Sequence, residues 1–330
     1  MAIPTLVGGE TLAECVRSVV AQTYADREIV VVDNSGQGLA AALPDVREHA
    51  RVIENRDNKG FGAAVNQAFR TSDSPFLAVM NDDAVAHSAW LETMVRAVKA
   101  RYEIGMCAPQ IRLYGTNVLD SAGMLLCADG SSKQRGHLES PTEYARATDV
   151  LFPSGCAALY KRAMLDEIGL FDEDLFLYCE DTDLGLRARW AMWECAYVPD
   201  AVVEHRYSHS SGQASALKAW YVERNRLRVA VKNLPWPMLA LAPFHSAARY
   251  FWHAVYMTRG SGKAGKFSES GARALQLPWI VLRANLHVLA SLPRLLSQRR
   301  DVRRHARMKP KQYARLLKSH SISARRVAAL

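Results

Sequence analysis

The sequence predicts an α/β fold: a mostly parallel sheet flanked by helices, followed by a helical, basic C-terminal region. Three observations predict it. Short β-branched runs alternate with stretches of helical period through the first 110 residues, the pattern of a sheet covered on both faces. Clusters of Asp, Asn, Ser and Gly stop those runs abruptly. From about residue 217 the texture changes to long apolar stretches interleaved with arginine.

Taken in order, Ala2–Thr5 is a short apolar start. After the Gly8-Gly9 turn, Leu12, Val16, Val19 and Val20 recur at helical spacing over residues 11–22. Glu28-Ile29-Val30-Val31-Val32 reads as a buried strand stopped by Asp33-Asn34-Ser35-Gly36. Arg51–Glu54 is a weaker strand, and Asn58-Lys59-Gly60-Phe61-Gly62 opens a helix to about Arg70. Residues 75–80 are another strand, stopped by Asn81-Asp82-Asp83; 88–100 are helical and 104–108 a strand. Residues 111–150 show no clear period and read as loops and short strands. Order returns with a run over 152–160, a helix over Arg162–Ile168, a helix ending near Trp190 and a strand ending at Val198-Pro199. The division expected is 1–215 and 216–330.

With 330 residues, 49% of them apolar and 23% charged, the chain can build a large core, which excludes wholesale disorder. No run of 18 or more uncharged apolar residues appears, so a plain transmembrane helix is not expected. The start, Met1-Ala2-Ile3-Pro4-Thr5, has neither the basic residues nor the apolar stretch of a secretion signal. Six scattered cysteines without a Cys-x-x-Cys speak against a zinc ribbon or a disulfide scaffold; the expected setting is cytoplasmic, with reduced thiols.

The net charge of +9 hides a split: residues 1–200 carry −11 and residues 201–330 carry +20. Such a tail needs anionic company. Lipid headgroups on the inner face of a membrane would supply it, with Trp, Tyr and Leu inserting beside the arginines. The acids of the front domain, or of a second copy, would supply it equally well. Residues 238–257 and 274–296 are near membrane length, but Arg249, Arg283, Pro243, Pro278 and Pro293 interrupt them, so lying in an interface suits them better than crossing.

Three clusters carry candidate chemistry. Asp33-Asn34 and Asn81-Asp82-Asp83 follow apolar strands, and ligands of open parallel sheets gather at strand carboxyl ends. Adjacent carboxylates repel, so they call for a cation or a hydrogen-bond network; Mg²⁺ or Mn²⁺ suits hard oxygen ligands. An ordinary solvated Asx turn is the plainer alternative. The second cluster, Glu180-Asp181-Thr182-Asp183, is either a helix start decorated with acids or a pocket wall offering a general base. In the third, Glu204-His205-Arg206-Tyr207-Ser208-His209, either histidine is a structural residue or a metal ligand.

Together these clusters resemble the inverting nucleotide-sugar glycosyltransferases of family 2, with the Rossmann-like GT-A fold, and within them the rhamnosyltransferase and galactofuranosyltransferase-like branch. The resemblance covers about residues 1–235. It is carried by Ile3-Pro4-Thr5 with Glu10-Thr11-Leu12, residues 18–24 and 29–35, and Asn58-Lys59-Gly60-Phe61-Gly62 with Asn66. Asn81-Asp82-Asp83, residues 155–158, 169–174 and 180–187, Tyr197-Val198-Pro199 and His205-Arg206-Tyr207-Ser208 complete it.

The resemblance implies a role for each position. Pro4, Thr5 and Asp33 would hold the base and ribose, and the loop with Asn58 and Gly60 would lie against the nucleotide. Asp82 would contact the ribose or donor sugar. Asp83 would bind a divalent metal, Mg²⁺ or Mn²⁺, with His205 completing its shell. Asp181 would be the catalytic base. The partners implied are a nucleoside-diphosphate sugar and a glycan or lipid-linked acceptor. Two departures stand out: the first strand looks clipped ahead of Pro4, and Asn81 replaces the first Asp of the family's Asp-x-Asp, a variant of the rhamnosyl-like branch.

One base and one metal on opposite faces of the sugar imply a single displacement with inversion. A nucleotidyltransferase would also use strand-end acids and a metal, but Gly8-Gly9 lacks the lysine of its phosphate loop. A nucleic-acid binder would use the Arg-rich 299–326 stretch. A dinucleotide-dependent dehydrogenase is disfavoured, since no Gly-x-Gly-x-x-Gly follows the first strand.

Overall fold

The computed structural model describes residues 1–206, 216–259 and 276–330. Four strands, β1 (Ala2–Thr5), β2 (Val30–Asp33), β3 (Arg51–Glu54) and β4 (Phe76–Met80), pair in parallel, with β1 between β2 and β4. Helices α1 (Glu10–Val20), α2 (Pro44–His49) and α3 (Phe61–Arg70) make the crossovers. Side chains alternate across a strand, so Val30 and Val32 enter one core while Val31 enters the other. That is why the run reads as continuously apolar: both faces are covered.

Beyond β4 come β5 (Ala84–Ala86), α4 (Trp90–Ala100), β6 (Ile104–Leu113), β7 (Leu119–Ser121), β8 (Met124–Leu126), β9 (Ser132–Gln134) and β10 (Thr148–Asp149). Then β11 (Ala157–Lys161) runs antiparallel to both β4 and β6 and wedges between them. After α5 (Arg162–Ile168) and α6 (Glu180–Trp190), β12 (Glu194–His205) pairs in parallel with β6. The main path is β10-β12-β6-β11-β4-β1-β2-β3, mostly parallel as expected.

Several boundaries differ from the sequence reading. β12 passes through Pro199 and ends at His205, because a register shift between Val198 and Val202 absorbs the residue that cannot donate to the ladder. β6 continues past Ala108 to Leu113, since Gln110 and Ile111 pair with Val202 and Val203. Residues 152–156 lie outside the strand, which begins at Ala157. The second apolar stretch divides at Ser291, where Pro293 opens a new helix.

The tail helices are α7 (Ala216–Asn233), α8 (Trp236–Thr258), α9 (Gln276–Ala290), α10 (Leu292–Arg304), α11 (Pro310–Ser319) and α12 (Ala324–Ala329). They pack on the acidic front. Trp190 is the hub: its ring stacks on Tyr313 at 3.7 Å, the Arg303 guanidinium lies 3.5 Å over it, and its indole N–H donates to the Asn233 carbonyl at 2.8 Å. Lys232 bridges Asp172 at 2.5 Å and Asp183 at 2.8 Å, and Arg307 meets Glu167 at 2.7 Å. Deeper in, Arg249 meets Asp129 at 2.6 Å and Glu223 at 2.8 Å. These tail cations thus neutralise acids of the same chain. Removing one member of a buried pair such as Lys232–Asp183 or Arg249–Asp129 costs about 3–5 kcal/mol.

Candidate active site

The site is built at the carboxyl ends of β1, β4 and β12. Thr5 ends β1, and its hydroxyl donates to Asp82 Oδ2 at 2.6 Å, tying the first strand to the acidic turn after β4. Pro4 is buried within β1 opposite Val32. Asp33 ends β2 and is buried; its two oxygens accept from the Ser35 and Ala40 backbone N–H groups, each at 2.8 Å. It therefore shapes the loop after β2. The next residue, Asn34, donates to the Gly60 carbonyl at 3.2 Å, bringing the 58–62 loop beside β2. Asn58 closes that loop by accepting from Gly60 N–H at 2.8 Å. Gly60 has φ +86 and a Cβ there would stand 2.3 Å from the Phe176 carbonyl oxygen, so only glycine fits.

Asp83 and His205 meet because β5 pairs antiparallel with β12, placing Ala84 opposite His205. His205 Nε2 lies 3.2 Å from Asp83 Oδ1, and both side chains are buried. On its other edge, Nδ1 bonds Asp120 Oδ2 at 2.8 Å, which fixes the ring's orientation. Burial works against the Asp120 carboxylate, but hydrogen bonds from His137 and His205 hold it down to about 2. Among the described residues, no group of three or more His, Cys, Asp or Glu is gathered to hold a metal. A carboxylate facing an imidazole nevertheless fits Mg²⁺ or Mn²⁺, which commonly use one or two carboxylates and draw other ligands from substrate phosphates and water. His209 lies outside the described residues.

The three acids of the Glu-Asp-x-Asp run take three different states at the start of α6. Asp183 is wholly buried and bonded to Arg187 at 2.8 Å and Lys232 at 2.8 Å, so it anchors the tail. Asp181 keeps partial exposure; its Oδ2 accepts from Gly155 N–H at 2.9 Å and its Oδ1 from Thr182 N–H at 2.6 Å. Burial raises its pKa above the ordinary carboxylate value, and those N–H donors pull only part of the way back. Glu180 is pushed up to about 8 by burial and then by the neighbouring Asp181 charge. It is thus protonated at neutral pH.

A proton held more tightly in the folded than in the unfolded chain stabilises the fold at low pH, and the contribution is lost as pH rises from 4.5 through about 8. Glu180→Gln should therefore unfold at a higher temperature than wild type at pH 9. The gap, at most on the order of a few kcal/mol, should close toward pH 5. Thermal melts across that range check it, and a constant gap would refute the assignment.

Gly155 and Cys156 join the two halves of the site. Gly155 N–H holds Asp181, while the Cys156 thiol bonds the His205 ring and its carbonyl accepts from Asn81 N–H at 2.8 Å. The base candidate and the metal-ligand candidates thus lie against consecutive residues. A separate cleft of about 190 Å³, lined by Gly169, Arg187, Lys232, Gln298 and His305, holds none of the predicted site residues. Sequence reasoning missed Asp120, an isolated acid in a stretch without period. It also missed Cys156 and Asn225, the latter an amide set among arginines on a helix.

The glycosyl transferase family 2 model matches residues 1–169, just over half of the chain. An N-acetylglucosaminyl-diphospho-decaprenol L-rhamnosyltransferase of Mycobacterium tuberculosis is 27% identical over 232 residues, covering 63% of this chain and 76% of that protein. Among solved structures, GalNAc-T7 with UDP, GalNAc and Mn²⁺ is similar at a TM-score of 0.58 and 15% identity, over 88% of this chain and 57% of that one. The mannosyltransferase PcManGT of Pyrobaculum calidifontis, in complex with GDP-Man and Mn²⁺, is similar at a TM-score of 0.50 and 16% identity, over 96% and 84%. The nucleotidyltransferase alternative is thereby set aside, and the chain belongs to glycosyl transferase family 2, an enzyme of GT-A fold that moves a sugar from a nucleotide-sugar donor.

Proposed function

We propose that this enzyme transfers L-rhamnose, or a sugar of like shape, with inversion to a lipid-linked glycan, and that residues 1–215 carry the chemistry. The activity named for the mycobacterial relative supports the sugar and the acceptor class. The observation that carries the mechanism is the placement of Asp181 against Gly155 and of His205, with Asp83, against Cys156.

Thr5, Asp82 and the loops held by Asp33 and Asn58–Gly60 bind and orient the nucleotide. Asp83 and His205 would hold a divalent ion, Mg²⁺ or Mn²⁺, which when bound offsets charge growing on the departing diphosphate. Asp181 takes the proton of the acceptor hydroxyl as that oxygen bonds the anomeric carbon from the opposite face, which inverts the configuration. Half-burial of Asp181 and its two backbone donors keep the base aimed.

The test is turnover across uridine, guanosine and thymidine diphosphate hexoses and L-rhamnose, with N-acetylglucosaminyl-diphospho-polyprenol as acceptor. The expected result is highest turnover on an L-rhamnose donor, abolished by chelator and restored by Mn²⁺ or Mg²⁺. Preference for another sugar would sink the rhamnose reading, and indifference to chelator would sink the metal.

We further infer that the tail docks on an anionic bilayer. Among the described residues no helix is long and apolar enough to cross a membrane. Yet α8 is turned inside out: Ser246 and Arg249 face the protein, while Leu241, Phe244 (73% exposed) and Phe251 face out. On α9, Trp279, Leu282, Leu286 and Leu289 are exposed in the same way. Neither helix contains an Asp or Glu, and Arg259 and Arg283 are exposed beside these stripes. Apolar insertion flanked by arginine suits anionic headgroups, at about 1 kcal/mol per cation. Phe244→Glu should weaken co-sedimentation with phosphatidylglycerol vesicles at least tenfold and leave turnover of a detergent-dispersed acceptor unchanged. Undiminished vesicle binding, or a dimer on gel filtration that the substitution splits, would overturn the docking.

A further inference from the structure

The segment that presents the base is strained. Phe176 (φ 64), Tyr178 (φ 69) and Cys179 (φ 70) all have positive φ, three non-glycine residues within four positions. Each such residue costs roughly 1–2 kcal/mol, so the loop relaxes unless something pins it. Asp181 follows two residues after Cys179.

What pins it is one face of α7. Asn225, fully buried, donates through Nδ2 to the carbonyls of Leu175, Leu177 and Tyr178, each at 2.8 Å. Arg224 Nη2 donates to the Asp174 carbonyl at 3.2 Å and the Leu175 carbonyl at 2.9 Å. Its Nε donates to Asn225 Oδ1 at 2.9 Å, which leaves the amide only one orientation, with its N–H₂ toward the loop. A turn earlier on the same face, Tyr221 stacks on Phe176 with ring centroids 5.3 Å apart. On its far side the strained loop touches the nucleotide loop: the Phe176 carbonyl accepts from Phe61 N–H at 2.9 Å and fills the space beside Gly60.

We propose that Arg224 and Asn225 form a positioning clamp that holds the 175–179 loop in its strained shape against the nucleotide loop, and so sets Asp181, two residues on, against Gly155. The clamp rests on the reading of Asp181 as base. It makes a tail helix part of the catalytic apparatus without touching substrate. Backbone strain concentrated beside a site, and over-determined by its surroundings, is what such a role requires.

A merely structural tie and a positioning clamp separate by glycine rescue. Glycine adopts φ near +70 at no steric cost, so Cys179→Gly makes the strained shape the loop's own preference. Using the full chain and the best donor of the panel above, well below the melting temperature, Asn225→Ala should lower kcat at least tenfold. Adding Cys179→Gly should recover at least threefold of that loss, whereas Cys179→Ala should recover none. A kcat within tenfold of wild type, or a loss that glycine does not reduce, overturns the clamp. Should Asn225→Ala fail to fold, Arg224→Met removes from a half-buried position the bonds to the Asp174 and Leu175 carbonyls and the one that orients the Asn225 amide, and is judged by the same thresholds. Asp181→Asn run alongside keeps the two ideas apart: full turnover in that variant removes the base assignment, whatever the rescue shows.

Discussion

Asp181→Asn is expected to lower kcat by about 10²–10⁴, the span a positioned general base contributes, while nucleotide affinity stays within a few-fold. The substitution keeps the shape of the side chain and one of its two backbone hydrogen bonds, to Gly155 or Thr182, so the helix start survives. Losing the other costs on the order of 1 kcal/mol. The pH profile adds a sign. Asp181 must be ionised to accept a proton, and burial lifts its pKa above 3.8. Turnover of the wild type should therefore fall on acidification along a limb displaced upward from the ordinary carboxylate range, and Asp181→Asn should flatten that limb. Steady-state kinetics from pH 4.5 to 8 check both. Retained turnover in the variant would remove the base.

The second large effect is expected at Asp83 and His205. Asp83→Asn or His205→Ala should cut the Mn²⁺-dependent part of nucleoside-diphosphate affinity by at least about 10–100-fold, the range seen even for outer partners of metal ligands. Affinity without Mn²⁺ should barely change. Asp120→Asn should show a milder form of the same loss, because it frees the ring edge opposite Asp83 and leaves both ligands in place. Calorimetric titration of a nucleoside diphosphate, with and without Mn²⁺, reads this directly. Equal metal dependence in wild type and His205→Ala would remove the histidine from the site.

These effects trace back to different depths of the sequence. The alternation of Val30-Val31-Val32 with the helical spacing of Leu12, Val16 and Val19 is a local signal, and it marks β2 and α1 because periodicity depends only on near neighbours. The acids at 33, 82 and 83 could be placed at strand ends for the same reason: the turn that stops a strand is written beside it. Glycine at 60 could be marked as a loop residue, but not the approach of the Phe176 carbonyl that makes it obligatory.

What the sequence by itself determined is the family's set of strand-end acids, the α/β alternation and the charge split between front and tail. The tertiary structure alone decided which acids do what. Glu180, Asp181 and Asp183 are nearly equivalent on paper, yet burial, backbone donors and the Lys232–Arg187 pair make them respectively neutral, poised and anchoring. It also decided that β12 runs on to His205, that Asp120 steadies that ring across 85 residues of sequence, and that a helix of the tail grips the loop before Asp181. Such pairings join residues far apart in the chain, and their energies come from desolvation and geometry that exist only once the chain has closed on itself.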